Sequence, residues 1–348
     1  MNDRPDRPHQ TVSVRVGVAC QLSLEDDAPA QPGALSDALY EKEAHMPRTL
    51  ARKDPTAFKT LPLLVEATPE GLTYQTLGKP LNFAQVLEKR RPIETSETER
   101  FTTELANLGV SVRLTLHYQG RDHWILVRQR REDRGDTVLK LISGYVPAHE
   151  LNLPLLTAIQ EVAEECLVET ADGWLGGRFG DTWLPTPYEG ILRYRESSHF
   201  SLTPLSGAAR PVQAGALRLL ERPEAYVHLP TASLQLVYDL RMELPKDARE
   251  VSLFHVDEKL ESGPLVARLD RRRPDIYLLP LDQGLPTGEL FTLSKGELCK
   301  ASTRGLWLSE SFAGQDGWLV REERIRFRDW MEQWPPAAGN AGSGRRTA

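Results

Sequence analysis

Three glutamates lie close together near the middle of the chain, in a segment that reads QEVAEECLV over residues 160–168. Glu161, Glu164 and Glu165 are spaced at i, i+3 and i+4, so an α-helix would bring all three to one face. Carboxylates at this spacing repel one another, and more so when they are partly buried. A divalent cation would offset that repulsion. Mg²⁺ prefers such hard oxygen ligands, so the spacing is compatible with a Mg²⁺ site and equally with a solvated acidic helix face.

A helix that could carry these glutamates is predicted over residues 153–169. Asn152 is a suitable N-cap, and Pro154 falls in the first turn, where its missing N–H costs nothing. The apolar residues that recur at helical spacing, and that would face the core, are Leu155, Ile159, Val162 and Cys166. This pattern places the glutamates beside a buried helix face.

Strands are predicted immediately before the helix, at residues 111–118, 123–130 and 138–142, with a turn at 119–122. Arg128 and Arg130 share one face of the second strand because side chains alternate along a strand. They are candidates for binding a substrate phosphate, with a solvated strand face as the alternative. Five downstream carboxylates, Glu189, Glu243, Asp257, Glu258 and Glu261, are further candidates for the site, with a surface charge as the alternative for each, and the sequence does not choose among them.

The stretch from Gly144 to Val168 resembles the Nudix box, written G-x5-E-x7-R-E-U-x-E-E-x-G-U, in which U is a bulky aliphatic residue. Gly144 and Glu150 match its first half, and the three glutamates with Val168 match its second half. The resemblance implies an α/β fold of the Nudix type, which is an α/β/α sandwich with a mixed sheet. The chain would add an N-terminal α+β extension to that sandwich.

The same resemblance implies a chemistry. In that family the box glutamates bind Mg²⁺ or Mn²⁺, and water attacks a phosphoanhydride joined to a nucleoside. It therefore implies catalytic and metal-binding roles for Glu161, Glu164 and Glu165, and a metal contact from the Gly144 carbonyl. The substrate would be a nucleoside diphosphate linked to another moiety, so a nucleotide-type small molecule is the expected partner.

Three departures from the box bear on activity. Nine residues rather than seven separate Glu150 from position 160, Gln160 replaces the arginine, and Leu167 replaces a glycine. A neutral glutamine cannot form the bidentate ion pair of an arginine. A left-handed conformation at Leu167 would cost roughly 1 kcal/mol or more. The alternative function is a weak or inactive Nudix-fold module that binds a nucleotide or a protein without turnover.

The pattern divides the chain into four parts. Residues 1–105 form an extension of unknown role, with 1–10 disordered, and residues 106–315 form the Nudix-like domain. A tryptophan- and arginine-rich amphipathic helix is predicted over 316–334, followed by a disordered tail over 335–348. That helix gives a third hypothesis, in which it carries a contact to a larger complex or to a second copy in a homodimer.

Composition excludes several other classes. A net charge of −6 without a concentrated basic face argues against a nucleic-acid partner. Three widely separated cysteines argue against a disulfide framework and a cysteine-rich zinc site. No apolar run of membrane-spanning length is present, and the polar first residues do not resemble a signal peptide. No membrane contact is expected, and the cytoplasm is the expected location.

Overall fold

The computed structural model describes residues 13–15, 47–68, 71–97, 100–131, 136–151, 153–205, 209–211, 218–220, 225–261, 263–314 and 318–334. The segments predicted to be disordered, 1–10 and 335–348, lie outside these residues. Strands account for 53% of the structure and helices for 12%. The protein is therefore predominantly a β-structure.

Twenty-six strands are present in the described residues. They are β1 (Ser13–Arg15), β2 (Arg48–Lys53), β3 (Leu63–Thr68), β4 (Gly71–Thr76), β5 (Phe101–Leu105), β6 (Asn107–Tyr118), β7 (Arg121–Arg131), β8 (Asp136–Lys140), β9 (Ile142–Tyr145), β10 (Cys166–Thr170), β11 (Gly173–Phe179), β12 (Thr182–Trp183), β13 (Tyr194–Pro204), β14 (Ala209–Pro211), β15 (Arg218–Leu220), β16 (Ala225–His228), β17 (Ser233–Glu243), β18 (Ser252–Leu260), β19 (Leu265–Leu269), β20 (Ile276–Asp282), β21 (Leu285–Pro286), β22 (Leu290–Ser294), β23 (Glu297–Ala301), β24 (Trp307–Ser309), β25 (Leu319–Val320) and β26 (Arg324–Arg326). The helices are α1 (Phe83–Lys89), α2 (Pro154–Glu165) and α3 (Phe327–Met331), with 3₁₀ turns at Leu229–Thr231 and Glu310–Phe312.

The strands form one large mixed network and two smaller sheets. The first small sheet has the order β1-β4-β3-β5, and the second pairs β14 with β15. In the network of 20 strands, β6 runs parallel to β17 and antiparallel to both β7 and β9. The strand β10 pairs with β18, which pairs with β19, and β19 pairs with β2. These pairings bring β2 and β18 beside the end of α2.

The predicted Nudix-type α/β/α sandwich is wrong. Such a sandwich needs helices over both faces of a sheet, whereas α2 is the only helix of more than seven residues in the part of the chain that the structure describes. The segment of residues 82–108 has a helix-like sequence pattern that is interrupted near Pro92, but it is helical only over α1. Its second half forms β5 and the start of β6, because Phe101 and Leu105 are buried at the ends of a strand that carries the β-branched Thr102 and Thr103.

The C-terminal helix predicted over 316–334 is also shorter than expected, since α3 spans only Phe327–Met331. Before it, β25 pairs with β16 and β26 pairs with β24. The Trp330 ring lies edge-on to Phe312 at 5.2 Å and to Trp334 at 6.0 Å, and Trp330 is only 4% exposed. These aromatic residues therefore pack a core of this chain.

The hairpin predicted around residues 111–130 is confirmed. β6 and β7 pair antiparallel from Leu114–Ile125 to Tyr118–Arg121. Gln119 and Gly120 both have positive φ angles, 50° and 77°, which is the backbone of a type I′ hairpin turn. The alternating apolar pattern was therefore sufficient to predict the strands that precede the acidic helix.

The N-terminal segment forms hydrogen bonds with the loop that leads into α2. The hydroxyl of Thr60 donates to the carbonyl of Val146 at 2.8 Å, and the amide of Ala148 donates to the carbonyl of Lys59 at 2.7 Å. The hydroxyl of Tyr74 donates to the carbonyl of Leu151 at 2.8 Å. Residues preceding 106 thus hold the loop in place. Among the described residues no helix has the length and apolar character needed to cross a membrane.

Candidate functional site

The helix α2 carries the three glutamates, as predicted. It begins at Pro154 and ends at Glu165, four residues earlier than predicted, and Asn152 lies outside the described residues. Its N-cap is Leu153, which offers no side-chain cap. Cys166 caps the C-terminus with φ −115° and ψ 95°, and the chain continues directly as β10. Leu167 is thus part of a strand, and the glycine that the resemblance placed there is not needed.

Glu150 joins the loop to the helix. Its side chain is buried and accepts a hydrogen bond of 2.5 Å from the hydroxyl of Thr157. This contact crosses the first turns of α2 and helps to fix the longer loop. Glu150 therefore has a structural partner inside the helix, one turn before the acidic residues begin.

Glu161 packs against Gly144. A Cβ atom placed on Gly144 would overlap the Glu161 carboxylate, so this position accepts only glycine while Glu161 keeps its place. Burial, followed by repulsion from Glu165 and Glu164, raises the pKa of Glu161 well above its ordinary value. The first glycine of the box-like segment and the first glutamate of the helix thus meet directly.

Glu165 lies beside two basic side chains. Its Oε1 is 3.6 Å from the Lys140 ammonium, and its Oε2 is 3.7 Å from Nε2 of His255. Oε2 is buried and accepts no hydrogen bond from the described residues, because 3.7 Å is too long for one. Burial alone would raise the pKa of Glu165, but Lys140 and His255 outweigh it and hold that pKa below its ordinary value.

Glu164 points to a third basic residue, Lys53. The Lys53 ammonium lies 2.6 Å from Oε2 of Glu164 and 2.7 Å from Oε1 of Glu258. Burial alone would lower the pKa of Lys53, but the attraction and hydrogen bonds of the two carboxylates raise it above its ordinary value. We call Glu161, Glu164, Glu165 and Glu258 the acidic cluster.

Three members of this arrangement, Lys53, His255 and Lys140, were missed in the sequence. Lys53 and His255 come from β2 and β18 and carry no local signal, whereas Glu258 was one of five downstream candidates that the sequence could not separate. Lys140 did carry a signal. It interrupts the apolar run Val138-Leu139-Lys140-Leu141-Ile142, and a lysine is rarely buried in a strand without an acidic partner.

Arg128 and Arg130 lie away from the acidic cluster. Val127 is the cross-strand partner of Lys140 in the β7–β8 pair, so both side chains share the face that looks toward α2. Side chains alternate along β7, which puts Arg128 and Arg130 on the opposite face. Arg128 lies 3.7 Å from Asp275 there. Neither arginine is brought together with the glutamates.

The other downstream carboxylates have separate partners or positions. Glu189 accepts a hydrogen bond from Thr186, Glu261 forms a bidentate pair with Arg268, and Asp257 lies 2.7 Å from Lys259. Glu243 is exposed at the end of β17. Of the five candidates, only Glu258 shares a partner with a glutamate of α2.

The donor set suits a hard divalent cation in part. Carboxylate oxygens are the ligands that Mg²⁺ prefers, and Mg²⁺ often takes only one or two from the protein while water and phosphate complete its shell. In the part of the chain that the structure describes, the buried Oε2 of Glu165 has no hydrogen-bond donor, which leaves one such ligand available. Within the described ranges, no group of three or more acidic, histidine or cysteine side chains is placed so that it could hold a metal ion.

Replacing Gly144 with alanine is expected to force the Glu161 carboxylate out of its position. Because the obstructed atoms are the end of a flexible side chain, we expect a loss of about 1–3 kcal/mol in the free energy of unfolding, the usual range for overpacking. Gly190→Ala is a matched control, since a Cβ there meets nothing within 4 Å. Chemical denaturation of both variants measures the difference, and equal stabilities would contradict the contact.

Comparison with known proteins gives no family for this chain, since no protein-family model and no curated protein matches it. The resemblance of residues 144–168 to the Nudix box therefore remains a prediction. The function has to be argued from the residues of the site.

Proposed function

We propose that the chain is a metal-dependent hydrolase that cleaves the phosphoanhydride of a nucleoside diphosphate linked to another moiety. The observation that carries the proposal is the meeting of Glu161 and Glu165 with Gly144, Lys140 and His255 at the end of α2. The box-like pattern selected Glu161, Glu165 and Gly144, on α2 and β9, whereas Lys140 and His255 come from β8 and β18 outside that pattern.

Each side chain has a part in this proposal. Glu161 and Glu165 would hold Mg²⁺ or Mn²⁺, with Glu164 and the Gly144 carbonyl as further oxygen ligands. When bound, the ion would lower the pKa of a coordinated water and offset the charge of the substrate phosphates. Lys140, which donates to Ser143 at 3.0 Å, keeps Glu165 ionised and ready to bind.

The proposed partner is a nucleotide-type small molecule. Lys53 and Lys140 are the two ammonium groups beside the acidic cluster, and they would offset part of the substrate's negative charge. A cytoplasmic location, a homodimer, and the absence of nucleic-acid and membrane partners belong to the same proposal.

A second candidate is a module that binds a nucleotide without turnover. Two observations favour it: Gln160 stands where the box has an arginine, and Lys53 already neutralises part of the acidic cluster. The loss of such supporting contacts typically costs 10–100-fold in metal affinity or activity. This candidate keeps the same residues and removes only the chemical step.

A hydrolysis screen tests the first candidate against the second. Purified protein is incubated with Mg²⁺ or Mn²⁺ and with ADP-ribose, NADH, dinucleoside polyphosphates, nucleoside triphosphates or coenzyme A, and a chelator-treated sample is the control. We expect turnover that requires the metal ion. Thermal stabilisation by a nucleotide without any product would favour the binding module instead. The absence of both turnover and stabilisation would contradict both candidates.

A further inference from the structure

A cleft of about 750 Å³ is lined by α3, by the residues that follow it and by the loop of residues 303–305 before β24. Its volume falls in the usual range of small-molecule sites, about 300–1,000 Å³. Phe327, Met331 and Trp334 give the cleft an apolar wall. The cleft is therefore large enough, and apolar enough, to hold the apolar part of a small molecule.

The core of the chain holds this wall in place. Phe327 is buried, and its amide donates to the carbonyl of Leu306 at 3.0 Å, which joins α3 to the loop before β24. Trp334 packs edge-on against the buried Trp330. Gly288 also lines the cleft, and a Cβ atom there would lie 3.4 Å from Cε of Met331. The absence of a side chain at this glycine thus keeps space open beside the apolar wall.

The apolar surface of the cleft does not extend into a wider apolar patch. Among the described residues, Leu87 of α1 is the only large hydrophobic side chain that is exposed, and it does not line the cleft. A protein partner usually needs a broad contact surface, whereas an apolar interior with a polar mouth is typical of small-molecule sites. The shape therefore favours a small ligand.

The charged residues of the cleft indicate the sign of that ligand. Arg328 and Glu332 form an ion pair with each other, with Nε 3.1 Å from Oε1, so their charges offset one another. Arg304 is exposed, and no carboxylate of the described residues pairs with its guanidinium. One positive charge is thus left at the cleft, which matches a ligand with a single negative charge such as a carboxylate.

We propose that this cleft binds a small amphipathic carboxylic acid. Its apolar part would lie against Phe327, Met331 and Trp334, and its carboxylate would accept hydrogen bonds from the Arg304 guanidinium. The cleft shares no residue with the acidic cluster, so the inference goes beyond the proposed function and stands or falls separately from it.

A comparison of two unbranched acids tests the apolar wall. Decanoate and octanoate are titrated separately into the full chain by isothermal calorimetry. Each buried methylene is expected to tighten binding about fourfold, so decanoate should bind about fifteenfold more tightly than octanoate. Equal affinities for the two acids, or no binding of either, would overturn the inference.

Replacing Arg304 with glutamine tests the role of the charge. We expect decanoate to bind about fivefold more weakly to Arg304→Gln, the upper end for an exposed ion pair. Arg100→Gln is the matched control, because Arg100 is an exposed arginine that does not line the cleft, and it should bind decanoate as the wild type does. Equal affinities of the two variants would contradict the proposed contact with Arg304.

The wild-type chain provides a test that does not depend on any variant. The chain is irradiated with a ten-carbon acid that carries a diazirine at the end of its alkyl chain, and peptide mass spectrometry locates the label. We expect labelling within residues 327–334, and we expect excess decanoate to abolish it. Labelling confined to other segments, or labelling that decanoate does not reduce, would place the acid outside this cleft and overturn the inference.

Discussion

Replacing Glu165 with glutamine is expected to reduce metal-dependent hydrolysis by at least about a hundredfold. Loss of a residue that only supports a metal ligand costs up to about that factor, and Glu165 is proposed as a ligand itself. Its buried Oε2 accepts no hydrogen bond from any described residue, so an amide there would be a weaker ligand for the ion. The reduction should appear in kcat as well as in the Mn²⁺ requirement.

The measurement is a steady-state assay of the purified variant on the substrate found in the screen, after circular dichroism has shown that it is folded. Glu88→Gln is a suitable control, because Glu88 is an exposed residue of α1. Unchanged turnover in Glu165→Gln would exclude Glu165 from the reaction. It would also remove the main support for the proposed hydrolase.

In the metal-free protein at neutral pH, Glu161→Gln and Glu165→Gln are expected to change the free energy of unfolding in opposite directions. The pKa of Glu161 is raised in the folded protein by burial and by the neighbouring carboxylates. The folded state therefore keeps a proton that the unfolded state loses above about pH 4.3, and stability falls as the pH rises from there through the folded-state pKa. Glu161→Gln removes this penalty and should raise the free energy of unfolding by on the order of 1 kcal/mol.

Glu165 behaves in the opposite way. Its pKa is lowered in the folded protein, so its ionised form contributes stability above the unfolded-state pKa, and that contribution is lost as the pH falls through the folded-state pKa. Glu165→Gln leaves Lys140 without its charged partner and should lower the free energy of unfolding by about 1–3 kcal/mol. Denaturant melts of both variants between pH 4 and pH 8 measure the two slopes. If both substitutions changed the free energy of unfolding in the same direction, the opposite pKa shifts of Glu161 and Glu165 would be contradicted.

The acidic helix could be predicted because its signals are local. Leu155, Ile159 and Val162 recur at helical spacing and give the helix a buried face. The same spacing brings the three glutamates together on another face. The hairpin before it could be predicted for the same reason, from alternation and one turn. The predicted fold class was wrong because other signals are not local. Residues 101–105 and 319–326 have helix-like patterns, but they form strands because they pair with strands from other parts of the chain.

The partners of the glutamates could not be predicted because they depend on strand order. Lys53 and Glu164 are 111 residues apart in sequence, and no local pattern relates them. Glu258 was one carboxylate among five until the pairing of β18 with β19 and of β19 with β2 placed it beside Lys53. The sequence thus predicted the acidic face of the site and missed its basic residues.

The Lys53 ammonium bridges Glu164 and Glu258, and this bridge has a consequence for how the molecule is assembled. Contacts between residues far apart in sequence form slowly, because the intervening chain must first be ordered. Lys53 can contact Glu164 only after α2 has formed, and Glu258 only after β18 has formed. During synthesis, the bridge therefore cannot close until most of the chain has emerged. Fragments that end before Ser252 lack Glu258 and His255 altogether. A bridged Lys53 therefore marks a chain in which α2, β2 and β18 have all taken their places.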